Sequence, residues 1–285
     1  MSMDIRRKPS WLQKKLSPAA HAEMERLLGD LQLHTVCQEA CCPNITECFR
    51  RQQATFLILG AICTRACSFC NVTKETPLPP DPAEPGRVAT AVVRLGLSHV
   101  VVTSPTRDDL ADGGAGQYAA TVAAIRAASP ATRVELLVPD FAGDRESLKT
   151  VLAASPHILG HNLETVPRLY AIRAGADYQR SLLVLAMARE LAPAIPTKSG
   201  LMLGLGEHRD EVLALLADLR RAGCDYLSLG QYLAPSRRHQ PVVEFIPPEE
   251  FDRYRQEAQA LGFRHVESGP YVRSSYLAEN YGGHN

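Results

Sequence analysis

The run Cys63-Thr-Arg-Ala-Cys67-Ser-Phe-Cys70 follows an apolar stretch and spaces three cysteines as CxxxCxxC. An extended chain spans at most ~3.3–3.6 Å per residue, so a loop this short folds readily round one polynuclear centre. Soft thiolates select iron–sulfur clusters, zinc or copper(I). Three are one too few for a closed four-ligand site, so a four-iron four-sulfur cluster held here keeps one iron free to bind something reactive. Zinc asks for two CxxC-like units or Cys/His pairs; no CxxC pair here partners another, though His34 is an available fourth donor whose spacing demands nothing. A second triple, Cys37-x4-Cys42-x5-Cys48, lies upstream. Seven of the eight cysteines thus fall between residues 37 and 70, about an eighth of the chain. That clustering suggests metal or redox chemistry rather than disulfide staples.

The elements that must position these loops follow from the pattern after residue 54, where short apolar runs alternate with helical segments. Strands are expected at Thr55–Leu59, Val100–Thr103, Val134–Val138, Ile158–His161, Thr197–Leu203 and Tyr226–Leu229. Helices are expected over 82–95, 115–128, 144–153, 165–189 as one or two pieces, 208–221 and 249–261. Such alternation implies βαβ units on a parallel sheet with right-handed crossovers. The expected architecture is α/β, a partial (β/α)6 barrel of parallel strands over 54–267, with a flatter doubly wound sheet as the alternative. An N-terminal extension, 1–53, carries the second triple, with a helical segment over 10–30 and an irregular loop over 34–50. A C-terminal tail covers 268–285. Function in such folds gathers at the carboxyl ends of the strands, which is where the CxxxCxxC loop sits after the first of them.

Thirty-one basic and 31 acidic residues leave no net charge, which argues against general nucleic-acid binding. No apolar run approaches the ~20 residues of a membrane span. The start, Met1 to Pro9, is basic but lacks the apolar stretch of a secretory signal. The expectation is a cytoplasmic protein that binds neither nucleic acid nor membrane.

Phe69 stands immediately before Cys70, and CxxxCx(aromatic)C after a first strand resembles the signature of radical S-adenosylmethionine enzymes. The resemblance implies that Cys63, Cys67 and Cys70 hold a catalytic cluster whose open iron takes the amine and carboxylate of S-adenosylmethionine. One electron then cleaves the sulfonium to a 5′-deoxyadenosyl radical, with Phe69 excluding water. The upstream Cys37-Gln-Glu-Ala-Cys41-Cys42-Pro-Asn-Ile-Thr-Glu-Cys48 is similar to the CxxxxCxxxxxC element of lipoyl synthases. So are Lys8-Pro-Ser-Trp-Leu12, Arg107-Asp-Asp-Leu, His161-Asn-Leu-Glu-Thr165, Ser199-Gly-Leu-Met-Leu-Gly-Leu-Gly-Glu207, Gly230-Gln-Tyr-Leu233 and Gly269-Pro-Tyr-Val-Arg-Ser-Ser-Tyr276.

That second resemblance implies a sulfurtransferase inserting sulfur at C6 and C8 of a protein-bound octanoyl-lysine. It consumes two S-adenosylmethionine molecules and takes the sulfur from an auxiliary four-iron four-sulfur cluster. The auxiliary ligands would be Cys37, Cys42, Cys48 and Ser275, with Ser274 the alternative serine and Cys41 either a bystander or a substitute for Cys42. S-adenosylmethionine contacts would come from Asn162 and Glu164 at the ribose, Thr103 and Ser104 at the methionine end, and Arg173 at its carboxylate; a helix cap or an exposed helix-end arginine is the plainer reading. Implied partners are octanoylated lipoyl carrier domains (the E2 of 2-oxoacid dehydrogenases or the H protein of glycine cleavage), reduced ferredoxin or flavodoxin, and a carrier that repairs the spent cluster. The basic residues Arg6, Arg7, Lys8, Lys14 and Lys15 are candidates for docking an acidic carrier. Competing readings are another radical S-adenosylmethionine enzyme with an auxiliary cluster, or a non-catalytic iron–sulfur carrier. Asp108, Asp109 and Asp112 read as a substrate-side loop, and His157 with His161 as core.

Overall fold

The computed structural model describes residues 8–12, 18–51 and 53–281. Its strands are β1 His34–Thr35, β2 Thr55–Leu57, β3 His99–Thr103, β4 Arg133–Leu137, β5 Ile158–Gly160, β6 Thr197–Leu203, β7 Tyr226–Gln231 and β8 His265–Gly269. They form one sheet in sequential order. β1 runs antiparallel to β2, and every other neighbouring pair is parallel. Among the described residues no ladder joins β8 to β1, so the sheet is a barrel left open on one side.

The helices are α1 Pro18–Asp30, α2 Val36–Glu39, α3 Ile45–Arg50, α4 Glu84–Arg94, α5 Ala115–Ala128, α6 Arg145–Ala153, α7 Tyr178–Leu191, α8 Arg209–Arg221 and α9 Pro248–Ala260. The fold is the expected α/β partial barrel, with corrections. β8 is a seventh parallel strand, and its sequence His-Val-Glu-Ser-Gly hides it because three polar residues interrupt the β-branched pattern that marks strands. The cysteine-rich 34–50 is not an irregular loop but β1 followed by α2 and α3. Helices of four and six residues are too short to show a 3.6-residue period and owe their stability to packing. The helical segment expected over 10–30 divides into a 3-10 turn, Ser10–Leu12, and α1.

Alternation along each strand sorts side chains between helices and lumen. On β3 and β4, Val100, Val102, Val134 and Leu136 join the apolar layer under α4 to α6. On β6 and β7, Leu201, Leu203, Leu227 and Leu229 do the same under α7 to α9. The opposite face is polar. Lys198 of β6 reaches past β5 to Glu135 of β4 at 2.8 Å, both nearly inaccessible to water. Burial pushes the Glu135 carboxyl up, but the Lys198 ammonium and the His99 ring outweigh it and hold the group below the usual carboxylate range. The Lys198 ammonium also sits 3.6 Å from the centre of the Tyr281 ring. Tyr281, fully buried, donates its hydroxyl to the Leu227 carbonyl at 3.1 Å. A tail residue therefore plugs the barrel floor.

Removing one partner of a buried ion pair strands the other's charge at a cost of about 3–5 kcal/mol. Lys198→Met should therefore destabilise the protein by that order in denaturant unfolding followed by circular dichroism. Adding Glu135→Leu to it should recover most of the loss.

Candidate active site and its two cysteine loops

The CxxxCxxC loop leaves β2 through Leu59 and Gly60, both in left-handed backbone conformation. It is held at several points. Cys63 N–H donates to the Thr73 carbonyl at 2.8 Å, and Thr64 N–H to the Thr106 carbonyl at 3.0 Å. Ser68 N–H donates to the Ile172 carbonyl at 2.9 Å, while Gln240 N–H donates to the Ser68 carbonyl at 2.9 Å. The strongest tether is Arg65, whose guanidinium meets Asp108 at 2.7 Å and Asp140 at 2.8 Å. Asp140 also takes Arg180 at 2.7 Å. Burial would raise the Asp140 carboxyl, but hydrogen bonds and charge from Arg65, then Arg180, hold it well below the usual range.

Sequence reading missed this clamp. Arg65 carried no signal beyond its place inside the motif, and Asp140 sits alone after β4. The Arg107-Asp-Asp segment is tied into the scaffold. Buried Arg107 pairs with Asp109 at 2.8 Å and donates to the carbonyls of Leu59 and Leu78. Asp112 caps α5 by accepting from the N–H groups of Gly114 and Gly116. His157 and His161 each engage the backbone beside β4, at Val134 and Val138.

Cys67 and Cys70 are close enough to Cys63 and to each other for their charges to interact. Burial raises the Cys67 thiol, opposed first by Arg173. Burial, then the charges of the other two thiols, pushes Cys70 up to about 11. Glu164 interacts electrostatically with both of these cysteines. It follows β5 at φ +67° and is stitched to β6 through Gly200 and Met202. Burial raises its carboxyl, with Arg173 and the Asn162 amide pulling it back. Asn162, Glu164, Arg173 and the thiol loop thus converge at the carboxyl end of β5. Thr103 and Ser104 are engaged elsewhere: Thr103 donates to the Leu137 carbonyl at 2.8 Å, and Ser104 accepts from the Tyr118 hydroxyl at 3.0 Å. Phe69 is half-buried in the loop.

Cys37, Cys42 and Cys48 line one cavity with Ser275, Arg273, Asn44, Thr55 and Tyr276. Antiparallel β1 delivers Cys37 to the sheet edge, since Thr35 pairs with Phe56 two residues earlier. Thr55 donates to the Ser275 hydroxyl at 2.6 Å. The tail that supplies Ser275 is strapped down on both sides: Asn44 donates to the Tyr271 carbonyl at 2.7 Å, Tyr276 donates to Glu47 at 2.9 Å, and Arg51 pairs with Glu279 at 2.9 Å. Burial, then the charge of Cys42, pushes the Cys37 thiol up to about 11. Cys41, exposed and at φ +50°, is outside this cavity and beside Asn71. Ser274 faces a second cavity with Asn162 and Glu164.

Each loop offers three soft donors with a guanidinium in electrostatic reach, Arg173 at Cys67 and Arg273 at Cys42. A cation beside a thiol favours the deprotonated form that a metal requires. Among the described residues no three His, Cys, Asp or Glu side chains close round a single ion. Three soft thiols lining one cavity with Ser275, and three more on the CxxxCxxC loop, are donor sets that suit iron–sulfur clusters. Of the sequence expectations on masked residues, Arg6, Arg7, Lys14 and Lys15 lie outside the described residues, while Lys8 is exposed.

Asp140 is a carboxylate with a depressed folded pKa, so its stabilisation is present above the unfolded value of about 3.9 and fades as pH falls through and below it. Asp140→Asn should cost on the order of 3 kcal/mol near neutrality. The gap to the parent protein should close in denaturant unfolding below about pH 4.

A sequence profile of the Radical SAM superfamily matches residues 57–219. A lipoyl synthase of Geobacter metallireducens is 73% identical over 281 residues, covering 99% of each chain. One of Caldicellulosiruptor saccharolyticus is 53% identical over 275 residues, covering 96% of each. Among solved structures, methylornithine synthase superimposes with a TM-score of 0.57 at 13% identity, over 89% of this chain and 82% of that one. Streptococcus suis SuiB bound to S-adenosylmethionine superimposes at 0.55 and 10% identity, over 84% and 52% respectively. Likeness at such identities speaks for the fold, whereas the full-length sequence match speaks for the family. With two separate cysteine triples on an open parallel barrel, this chain belongs to the lipoyl synthases of the radical S-adenosylmethionine superfamily.

Proposed function

We propose that the chain inserts sulfur at C6 and C8 of an octanoyl-lysine on a lipoyl carrier protein. The observation that carries this reading is the cavity shared by Cys37, Cys42, Cys48 and Ser275, in a chain that also carries the three-cysteine loop. Bound there, the two clusters supply the electron that cleaves S-adenosylmethionine and the sulfur that is transferred. An unactivated C–H bond has no acidic proton, so side-chain acids and bases cannot open it. What the protein contributes is placement.

In this reading Cys63, Cys67 and Cys70 would hold the catalytic cluster, with half-buried Phe69 helping to exclude water from it. Asn162 and Glu164 receive the ribose hydroxyls, and Arg173 faces the carboxylate of the methionine moiety. Thr103 and Ser104 border the methionine end through atoms not already committed to Leu137 and Tyr118. Ser275 would offer the auxiliary cluster a hard oxygen among soft thiols, and so its least firmly held ligand. Residues 1–53, 54–267 and 268–285 then act as auxiliary-site extension, catalytic barrel and closing tail.

The carrier would be the E2 of a 2-oxoacid dehydrogenase or the glycine cleavage H protein. Reduced ferredoxin or flavodoxin would supply electrons, and a separate cluster carrier would repair the spent site. No helix among the described residues is long and apolar enough to cross a membrane, and we place the reaction in the cytoplasm.

Replacing Cys63, Cys67 and Cys70 by alanine should abolish 5′-deoxyadenosine formation by the reduced, anaerobically reconstituted protein while auxiliary iron and sulfide remain. Replacing Cys37, Cys42 and Cys48 should preserve 5′-deoxyadenosine formation but give an octanoylated carrier peptide no sulfur, read by mass spectrometry. A plain cluster carrier would make no 5′-deoxyadenosine even when intact. Ser275→Cys should keep the auxiliary iron yet depress lipoyl yield, because a fourth thiolate releases the cluster less readily; equal yield would remove the role assigned to the serine.

A further inference from the structure

Ser274 and Ser275 are adjacent, yet they serve different cavities. Ser275 sits with Cys37, Cys42 and Cys48 and accepts from Thr55. Ser274 turns the other way, into the cavity lined by Asn162, Glu164, Gly200, Met202 and Ser228. There its hydroxyl donates to Asn162 Oδ1 at 2.7 Å, and Asn162 Nδ2 donates to Glu164 Oε1 at 2.9 Å. A three-residue chain of hydrogen bonds thus runs from the tail to the end of β5.

The packing round this chain leaves it little freedom. A Cβ added to Gly200 would stand 2.7 Å from Ser274 Oγ and 2.8 Å from both Asn162 Oδ1 and Ser228 Oγ. One placed on Gly230 would meet the Val272 carbonyl oxygen at 1.9 Å. Two strands have therefore given up side chains where residues 272–274 cross the lumen. An amide such as Asn162 can present either its oxygen or its NH2 to a neighbour. A carboxylate only accepts, so Glu164 takes the NH2, and the Oδ1 left over needs a donor, which the Ser274 hydroxyl supplies.

We propose that Ser274 is a positioning residue for the S-adenosylmethionine site. Its hydroxyl fixes the Asn162 amide against Glu164, so that nucleoside binding depends on a seated tail. The inference rests on the reading of Asn162 and Glu164 as the ribose-binding pair. It gives the two serines of one element separate duties, one at each cluster's side of the lumen. It also means that a tail displaced from the auxiliary site takes the orientation of Asn162 with it.

The test measures S-adenosylmethionine affinity by equilibrium dialysis on cluster-loaded, unreduced protein, where no turnover occurs. Iron and sulfide are counted on the same samples, and amide hydrogen exchange over residues 270–277 is followed in the metal-free chain. Ser274→Ala should weaken binding by about tenfold, the factor carried by one buried hydrogen bond of ordinary worth. Iron, sulfide and tail protection should stay as in the parent, and Ser274→Thr should restore affinity. Asn162→Ala should weaken binding as well, with the double variant Ser274→Ala/Asn162→Ala no weaker than Asn162→Ala alone. Unchanged affinity in Ser274→Ala beside weakened Asn162→Ala overturns the positioning role and leaves the ribose reading standing. Unchanged affinity in Asn162→Ala overturns the ribose reading itself. Loss of auxiliary iron or of tail protection in Ser274→Ala marks a mere latch and overturns the proposal equally.

Discussion

The passage of the tail through the lumen is the constraint on which the rest depends. Residues 271–281 run from the sheet edge across the barrel to its floor, and they can do so only because β6 and β7 present glycines at 200 and 230. The Gly230 contact is backbone against side-chain space, with no flexible end to give way. No single hydrogen bond secures the tail, since each is worth about 1 kcal/mol net. Burying Tyr281 at the barrel floor adds about 1.5–3 kcal/mol, the range for a large apolar side chain, supported by the ammonium above its face. A plug at the terminus converts weak contacts along the way into one cooperative closure.

The two cysteine loops solve the same electrostatic problem in parallel. Thiols sunk in protein resist ionisation, as the raised Cys37 and Cys70 show. In each case a guanidinium stands near one thiol of the triple, and at Cys67 the Arg173 charge opposes the effect of burial. The arginines come from unrelated places, one after β5 and one in the tail. Arg65 plays a different part: it pairs with Asp108 and Asp140 and so fixes the loop in space, while its charge also acts on Cys67 in the same sense as that of Arg173. Its five-donor fork allows it to grip both carboxylates at once.

The outer and inner faces of the barrel were unequally legible. Helix-facing valines and leucines on β3, β4, β6 and β7 have the alternation that marks half-buried strands, so those strands stood out. β8 did not, because three of its five residues are polar, and nor did β1, which is only two residues long. Asp109 and Asp112 looked like loop chemistry, yet one pairs with buried Arg107 and the other caps α5. Acidic residues near glycines carry the same local signature whether they cap a helix or meet a ligand, and only their partners tell the two apart.

The sequence by itself determined the chemistry on offer: two triples of soft donors, their spacing, an aromatic beside Cys70, and the βα rhythm that puts one loop at the strand ends. These are local properties, set by neighbours within a few residues. Which side chains would stand opposite those loops was decided only by tertiary structure. Thr55 meets Ser275 across 220 residues, Tyr276 meets Glu47 across 229, and Ser274 meets Asn162 across 112. No periodicity or spacing encodes such pairings, because they are fixed by the curvature of the whole sheet and the path left open to the tail.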